Sequence, residues 1–421
     1  MKLIKQILKA IIISLLNLYF HSDKKSLNFL HKILRKRYFD DYFISEQEIE
    51  TIIATQVQNS YDLAAAKQAD TLVVFFEIAP YRMCGGQMSL FSYCKYSKEI
   101  LGDKAAVIMT TIPGKYTYSH NDCFENDIEI CRWEQVKNLL KGKKKCILHI
   151  PEVDIINPET GEELVRKSLL DENFDLLRSI DDLHINIVNQ QIKLMPSPAQ
   201  YSWLYLLTPH VTMTVCNKAA ATQDICNTFG MPLHMLSVYY DLGNVQRIPV
   251  PQKEKLILLS PDLPPKGIQF KLNLIKKLHK ELPDYKIMII QKLKLQDCMR
   301  LTAASAAVIT FGEGFDGYLN NSPQVGTLAF AVYNDVFFPD KTWQDFPNIY
   351  RSYDELGKKI IDDIKRFMDD EKLYEKTVTE HETAVLNMYK FSEYLDNLKR
   401  FYANKLDFYP EKNQENKNDA R

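Results

Sequence analysis

Apolar residues in this chain gather into short unbroken runs separated by helix-compatible polar stretches, and the alternation occurs in two series. Thr71–Ile78 (T-L-V-V-F-F-E-I), Ala105–Thr110, Cys146–Ile150, Ile185–Val188 and Val211–Val215 form the first series. Such runs, rich in β-branched and aromatic residues and lacking polar alternation, predict strands buried on both faces. Met88–Leu101 and Leu164–Asp182 carry the helical pattern between them. After Asp241 a proline-punctuated connector, Arg247-Ile248-Pro249-Val250-Pro251, reads as an interdomain linker. The second series then runs Lys255–Leu259, helix Ile268–Glu281, Tyr285–Ile290, helix Leu295–Ala304, Ala306–Thr310 and Leu328–Val332. Strands alternating with helices predict an α/β protein with parallel sheets, here in two halves. Leu356, Ile360, Ile364, Phe367 and Met368 share one helical face further on.

These patterns divide the chain into five parts. Residues 1–68 form a basic helical extension, 69–246 a first Rossmann-like domain and 247–352 a second. Helices follow over 353–408, and the polar tail 409–421 has the composition of a disordered segment. Within residues 1–37 there are nine Lys or Arg against a single acid, Asp23. Lys2, Lys5 and Lys9 line one helical face beside Leu3, Ile4, Ile7, Leu8 and Ile11. The apolar run Ala10–Phe20 is shorter than the ~20 residues that span a bilayer. Three readings stay open: an interfacial helix on an anionic leaflet, a signal-like anchor, or a helix docked on the protein itself. The first is favoured, and it makes the protein cytoplasmic and peripheral on the inner face of the plasma membrane.

Composition narrows the chemistry. The net charge of −1 supplies no global field for nucleic acid, and no aromatic-basic RNA motif occurs. Eight scattered cysteines, without C-x-x-C or zinc spacing, predict reduced and largely buried thiols. No D-x-D occurs anywhere, so a divalent metal held on a diphosphate has no sequence support.

The most informative stretch is Ile309–Val332, I-T-F-G-E-G-F-D-G-Y-L-N-N-S-P-Q-V-G-T-L-A-F-A-V. A strand stops at a glycine turn, a helix follows, and a second strand begins, so Glu313 falls at a strand's carboxyl end, where open α/β sheets bind ligands. Ala79-Pro80 leads to the double glycine Gly85-Gly86 at a helix start, where amide hydrogens and the helix dipole favour an anion. His149 ends a strand before Pro151 and is expected to face the same cleft. Asn189 and Gln190, at the end of the next strand, are further polar cleft candidates.

Glu313-Gly314-Phe315, with Gly326-Thr327 downstream, resembles the donor-sugar loop of retaining GT-B glycosyltransferases of the group with two glutamates eight residues apart. The resemblance implies two Rossmann-like domains facing a cleft, the first for the acceptor and the second for a nucleotide-sugar donor. It implies that Glu313 contacts the transferred sugar. It places Gly85, Gly86, Lys266, Gly267, Gly312, Gly314, Phe315, Asp316 and Asn321 on the donor, and the strand-end position of His149 makes that residue a catalytic candidate beside them. Three positions depart from the pattern: Asp316 replaces a glycine, Asn321 the second glutamate, and Pro261 the arginine that would share the diphosphate with Lys266. The expected activity is transfer of a sugar to a glycan or lipid-linked glycan in surface polysaccharide synthesis, retaining and metal-independent, with the nucleotide-sugar as substrate and no cofactor. Two alternatives accompany it: a non-catalytic GT-B relative binding glycan at the membrane, and a nucleotide-sugar epimerase-like α/β enzyme.

Overall fold

The computed structural model of the chain describes residues 63–77, 84–112, 120–121, 123–158, 160–218, 220–291 and 293–411. The segment 1–37 with its basic helical face, and most of the polar tail, lie outside the described residues. The first run series builds a seven-stranded sheet from β1 (Thr71–Phe76), β2 (Ala106–Thr110), β3 (Ile130–Cys131), β4 (Lys145–Pro151), β5 (Asp182–Asn189), β6 (Val211–Val215) and β7 (Leu233–Met235). Their order is β3-β2-β1-β4-β5-β6-β7, and every pairing is parallel. The second builds a five-stranded sheet from β8 (Glu254–Leu259), β9 (Lys286–Ile289), β10 (Ser305–Ile309), β11 (Ala329–Val332) and β12 (Ile349–Tyr350). Its order is β12-β11-β10-β8-β9, again parallel throughout. The α/β class and its two Rossmann-like sheets are therefore as expected.

Each sheet reverses its direction of growth once, between β1 and β4 in the first and between β8 and β10 in the second. Crossover connections on either side of such a point leave opposite faces, which opens a crevice at the carboxyl ends of those strands. The residues that follow are Glu77 after β1, Glu152 after β4, Ser260 and Asp262 after β8, and Phe311 to Glu313 after β10. Burial follows the runs: Leu72 to Phe76 and Leu256 to Leu259 are almost wholly enclosed.

Where Leu164–Asp182 reads as one helix, the chain forms a π-turn at Lys167–Glu172 and a short helix at Phe174–Arg178. Asn173 interrupts it, its side-chain amide donating to the Ser168 carbonyl at 2.7 Å, a local bond that competes with the helical ladder.

The carboxy-terminal helices do not all stay with the second sheet. Tyr353–Asp369 buries Leu356, Ile360, Ile364 and Phe367 in the second core. Phe391–Tyr402 instead packs on the first sheet. Beyond it Leu233 of β7 pairs with Phe408, and His234 meets the Asp407 carboxylate at 2.8 Å. Tyr409 and Glu411 are bonded to Gln223 and Asn227, so the described start of the tail is held against the first lobe.

This return decides the fate of His149, which is fully enclosed. Its ring stacks on Phe75 at 4.3 Å and lies 5.4 Å from Phe401. Asn186 donates to Nδ1 at 3.1 Å, which leaves Nε2 carrying the proton, directed at the Tyr402 hydroxyl at 3.3 Å. Tyr402 in turn donates to Ser97 Oγ at 2.7 Å, and Ser97 to the Tyr93 carbonyl. Burial holds the imidazole well below its usual pKa, so the ring stays neutral. The expectation that His149 lines the cleft is corrected: Phe401 and Tyr402 cover it and make it a core residue. Tyr402→Phe should lower stability by about 1–3 kcal/mol, because it strips a partner from both His149 and Ser97. Urea denaturation measures the loss, and an unchanged midpoint would refute the assigned network.

Candidate functional site

The loop after β10 is shaped by two glycines. Gly312 and Gly314 have φ values of 72° and 76°, in the left-handed region, so Glu313 stands between two sharp reversals of the backbone. A Cβ on Gly314 would lie 2.5 Å from the Val332 carbonyl oxygen and 3.1 Å from the Phe338 ring. One on Gly312 would come within 3.3 Å of Asp262 Cβ. Backbone thus fits against backbone here, and the Glu313 side chain is turned out of the carboxyl-terminal lobe. Phe315 anchors the far side of the turn between Phe338 and Trp343, at 5.1 and 4.9 Å.

Asp316, where the resembling family has glycine, works within the fold. One carboxylate oxygen accepts the amides of Tyr318 and Leu319 at 2.8 and 3.1 Å, capping the Gly317–Asn321 helix, and the other accepts the Thr310 hydroxyl. Desolvation pushes its pKa up to about 7 despite these bonds. Its expected role on the donor is replaced by a capping role. Asn321 is buried and gives its amide to the Tyr240 hydroxyl at 3.1 Å, on the segment leading into the linker. Its expected ribose contact is therefore occupied by a bond within the chain.

Lys266 precedes the Gly267–Glu281 helix and pairs with Asp354, their side chains 44% and 69% exposed. An exposed pair contributes about 0–1 kcal/mol, so an arriving phosphate could exchange for Asp354 at little cost. Gly267 supplies the left-handed turn, with φ of 77°. Lys271 is internal: it donates to the carbonyls of Ser260 and Asp262 and lies 4.8 Å above the Phe311 ring. It ties the end of β8 to the end of β10.

The amino-terminal lobe reaches Glu313 through residues that carry no sequence motif. Gly85 and Gly86 open the Gly85–Leu101 helix, and the Gly86 carbonyl accepts the Gln190 side-chain amide at 2.8 Å. Gln87 donates to Glu77 at 2.8 Å. Glu152, directly after β4, is buried near the backbone amides of Gln190 and Gln191, which favour its charged form. The Gln190 carbonyl also accepts the Cys216 thiol at 2.8 Å. Held in this way, Gln191 extends its side-chain amide across the cleft to Glu313 Oε1. Two residues on, Lys193 places its ammonium 4.5 Å above the Phe337 ring of the other lobe. Gly85, Gly86 and Glu313 are thus brought into one connected group, whereas Lys266 and Gly267 flank it and His149 stands apart.

Acids crowd this crevice. Burial raises the Glu313 pKa first; the Gln191 bond then lowers it, and the neighbouring Asp262 charge raises it again. Burial pushes Glu152 up to about 7, and burial raises Asp154 well above its ordinary value, with the charges of Glu77 and Glu152 adding to the rise. Neither oxygen of Asp154 has a hydrogen-bond partner among the described residues, which accords with a neutral acid. Among the described residues no cluster of His, Cys, Asp or Glu is arranged to hold a metal ion. Gln191, Glu152 and Asp262 were missed by sequence reasoning. Only Glu152 gave a signal, a carboxylate directly after a strand and proline.

No family model and no curated protein matches the sequence. Solved structures do match. An alpha-glucosyltransferase solved with UDP-glucose and DNA containing an abasic site superposes with a TM-score of 0.52 at 9% identity, over 78% of this chain and 99% of that one. An alpha-glucosyltransferase solved with UDP and a 13-mer DNA containing a HMU base gives 0.51 at 10% identity, with the same coverage. The likeness is one of fold, the two-lobed GT-B arrangement.

Two outcomes follow from this geometry. Gly314→Ala should lose about 1–2 kcal/mol from the left-handed backbone alone, plus the clash with the Val332 carbonyl. Gly85→Ala should be neutral or stabilising, since an added Cβ meets nothing within 4 Å; equal urea midpoints for the two variants would contradict the assignment. The second outcome concerns pH. The folded-state pKa of Glu152 lies above its ordinary value of 4.5, so the native state binds this proton more tightly than the unfolded chain. Its contribution to stability is complete below pH 4.5 and is lost as pH rises through about 7. Thermal melts of Glu152→Gln and the parent chain should therefore shift in the variant's favour between pH 5 and pH 8; a constant difference would refute the shift.

Proposed function

We propose that the chain is a glycosyltransferase that moves a sugar from a nucleotide-sugar donor, metal-independently and with retention, to a glycan or lipid-linked glycan. The observation that carries this reading is Glu313, held between two left-handed glycines at the switch point of the second sheet and meeting Gln191 of the loop after β5 in the first. A carboxylate there suits the sugar's hydroxyls, which donate hydrogen bonds that an ionised acid accepts strongly. The diphosphate would leave between Lys266 and the amides at the start of the Gly85–Leu101 helix, where positive potential meets the charge that develops as the bond breaks. The fold shared with two alpha-glucosyltransferases solved with UDP-glucose and UDP makes a uridine diphosphate donor the first to test, and retention rests on the resemblance of the Glu313 loop. Surface polysaccharide as product, a cytoplasmic location and docking of residues 1–37 on an anionic leaflet complete the reading. No helix among the described residues is long and apolar enough to cross a membrane.

A second reading, a non-catalytic glycan-binding relative, draws on the bonds of Asn321 to Tyr240 and Lys266 to Asp354, which occupy two expected donor contacts. Thermal-shift measurements with UDP, GDP, dTDP and CDP separate the two. A binding diphosphate should stabilise the chain by about 2.7 kcal/mol at 100 times its dissociation constant. Glu313→Ala should then reduce transfer or donor hydrolysis about 100-fold or more while leaving diphosphate binding intact. Absence of any nucleotide binding would favour the second reading. Deleting residues 1–20 should release the protein from vesicles containing acidic lipid; unchanged partitioning would remove the membrane element.

A further inference from the structure

The contact between Gln191 and Glu313 leaves two oxygens over. Glu313 receives the amide hydrogen on Oε1, and Oε2 has no partner among the described residues. An ionised carboxylate only accepts, so the Gln191 amide must present its nitrogen to Glu313 and its oxygen elsewhere. That oxygen too has no partner among the described residues, and neither atom is sealed off from solvent. Two acceptors from opposite lobes are thereby carried by one hydrogen-bonded pair. Neither can donate, and one carries charge, so the pair disfavours phosphate or carboxylate. The complementary group has two adjacent donors, as a pair of neighbouring hydroxyls does.

Nothing about this pair is left to a free loop. Asn189 donates to the Gln191 carbonyl at 3.1 Å, and the Gln191 carbonyl also accepts the Leu194 amide at 3.0 Å. The Gln190 side chain fixes the loop to Gly86 and its carbonyl takes the Cys216 thiol, while the buried Glu152 carboxylate lies near the amides of Gln190 and Gln191. Lys193 rests on Phe337 beside the same contact and keeps the loop against the other lobe.

We infer that Gln191 and Glu313 form one reading element, shared between the lobes, for a vicinal diol of the donor sugar, with Glu152 as the positioning residue that holds Gln191 in register. The inference rests on the nucleotide-sugar reading above and adds to it the residue by which the amino-terminal lobe senses the sugar. A donor with both hydroxyls in place bridges the lobes; one lacking either leaves a carboxylate or an amide oxygen without its hydrogen bond. Selection by such a site is strong, because the cost falls on a polar group left unpaired.

The test uses the full chain and a panel of UDP-, GDP-, dTDP- and CDP-linked hexoses with the matching diphosphates, with dissociation constants measured by calorimetry. For the donor that binds, Gln191→Ala should raise the dissociation constant of the nucleotide-sugar about 10-fold and leave that of the diphosphate unchanged. A merely structural role would move both together. Deoxygenated forms of the same donor supply the second arm: removing one hydroxyl of the pair should weaken binding to the parent chain but not to Gln191→Ala. Glu152→Gln, which keeps an acceptor beneath the loop, should fall between the two. A Gln191→Ala variant that binds the nucleotide-sugar and every deoxy form as the parent does would overturn the inference while leaving the glycosyltransferase reading standing. A parent chain that binds no member of the panel would overturn both.

Discussion

A hydrogen bond from the Gln191 amide to the Glu313 carboxylate joins the carboxyl ends of two sheets that share no ladder among the described residues. Most of the site's geometry is in service of that contact. On one side, two glycines and the tight fit of Gly314 under Val332 aim the acid outward. On the other, Gly86 and Cys216 fix the loop that carries the amide. The second sheet contributes from the point where its strand order reverses, the part of an open α/β sheet that leaves a crevice, and the first from the end of β5, one strand beyond its own reversal. The chemistry proposed for the cleft needs no special residue beyond an acid held in the right place and an anion-tolerant helix start opposite it.

The cleft is also electrically uneven. Asp262, Glu313, Asp316 and Glu152 bring several carboxylates into a small space, and burial makes some of them hold their protons near neutrality. Asp316 is the clearest case of local necessity: its two oxygens cap a helix and take a threonine hydroxyl, and the same enclosure that orders these bonds disfavours its charge. The cation expected for a diphosphate, Lys266, sits outside this acidic ground in an exposed pair. Its partner is on the helix that begins after β12, so phosphate binding there would also alter how that helix start is held.

Much of the fold was legible because a buried parallel strand leaves a blunt sequence signal, an uninterrupted apolar run. β3, β7 and β12, at two or three residues each, are too short to leave one. The Glu313 loop was legible for a related reason: strand, glycine turn and helix follow each other without interruption. Gln191 was not, since a glutamine after a strand resembles any surface residue until the opposite lobe is in place. His149 was misread on sound local grounds. A histidine at a strand end does face a cleft in a bare sheet, and only a helix some 250 residues later, through Tyr402, closes over it. Asp316 and Asn321 show the same limit: their types were visible, but the internal partners that claim them were not.

The return of the last helix to the first sheet has a consequence for how the protein comes into being. Ser97 and Tyr402 are 305 residues apart and His149 and Tyr402 are 253 apart, yet they share one buried network. At about 5–20 residues per second, a ribosome needs roughly 13 to 50 s to supply Tyr402 after His149 has emerged. Throughout that interval the nascent first lobe exposes an aromatic floor around Phe75 and Tyr93 with nothing to cover it. Its maturation cannot be finished by vectorial, domain-by-domain acquisition of structure; it awaits the helix that carries Tyr402.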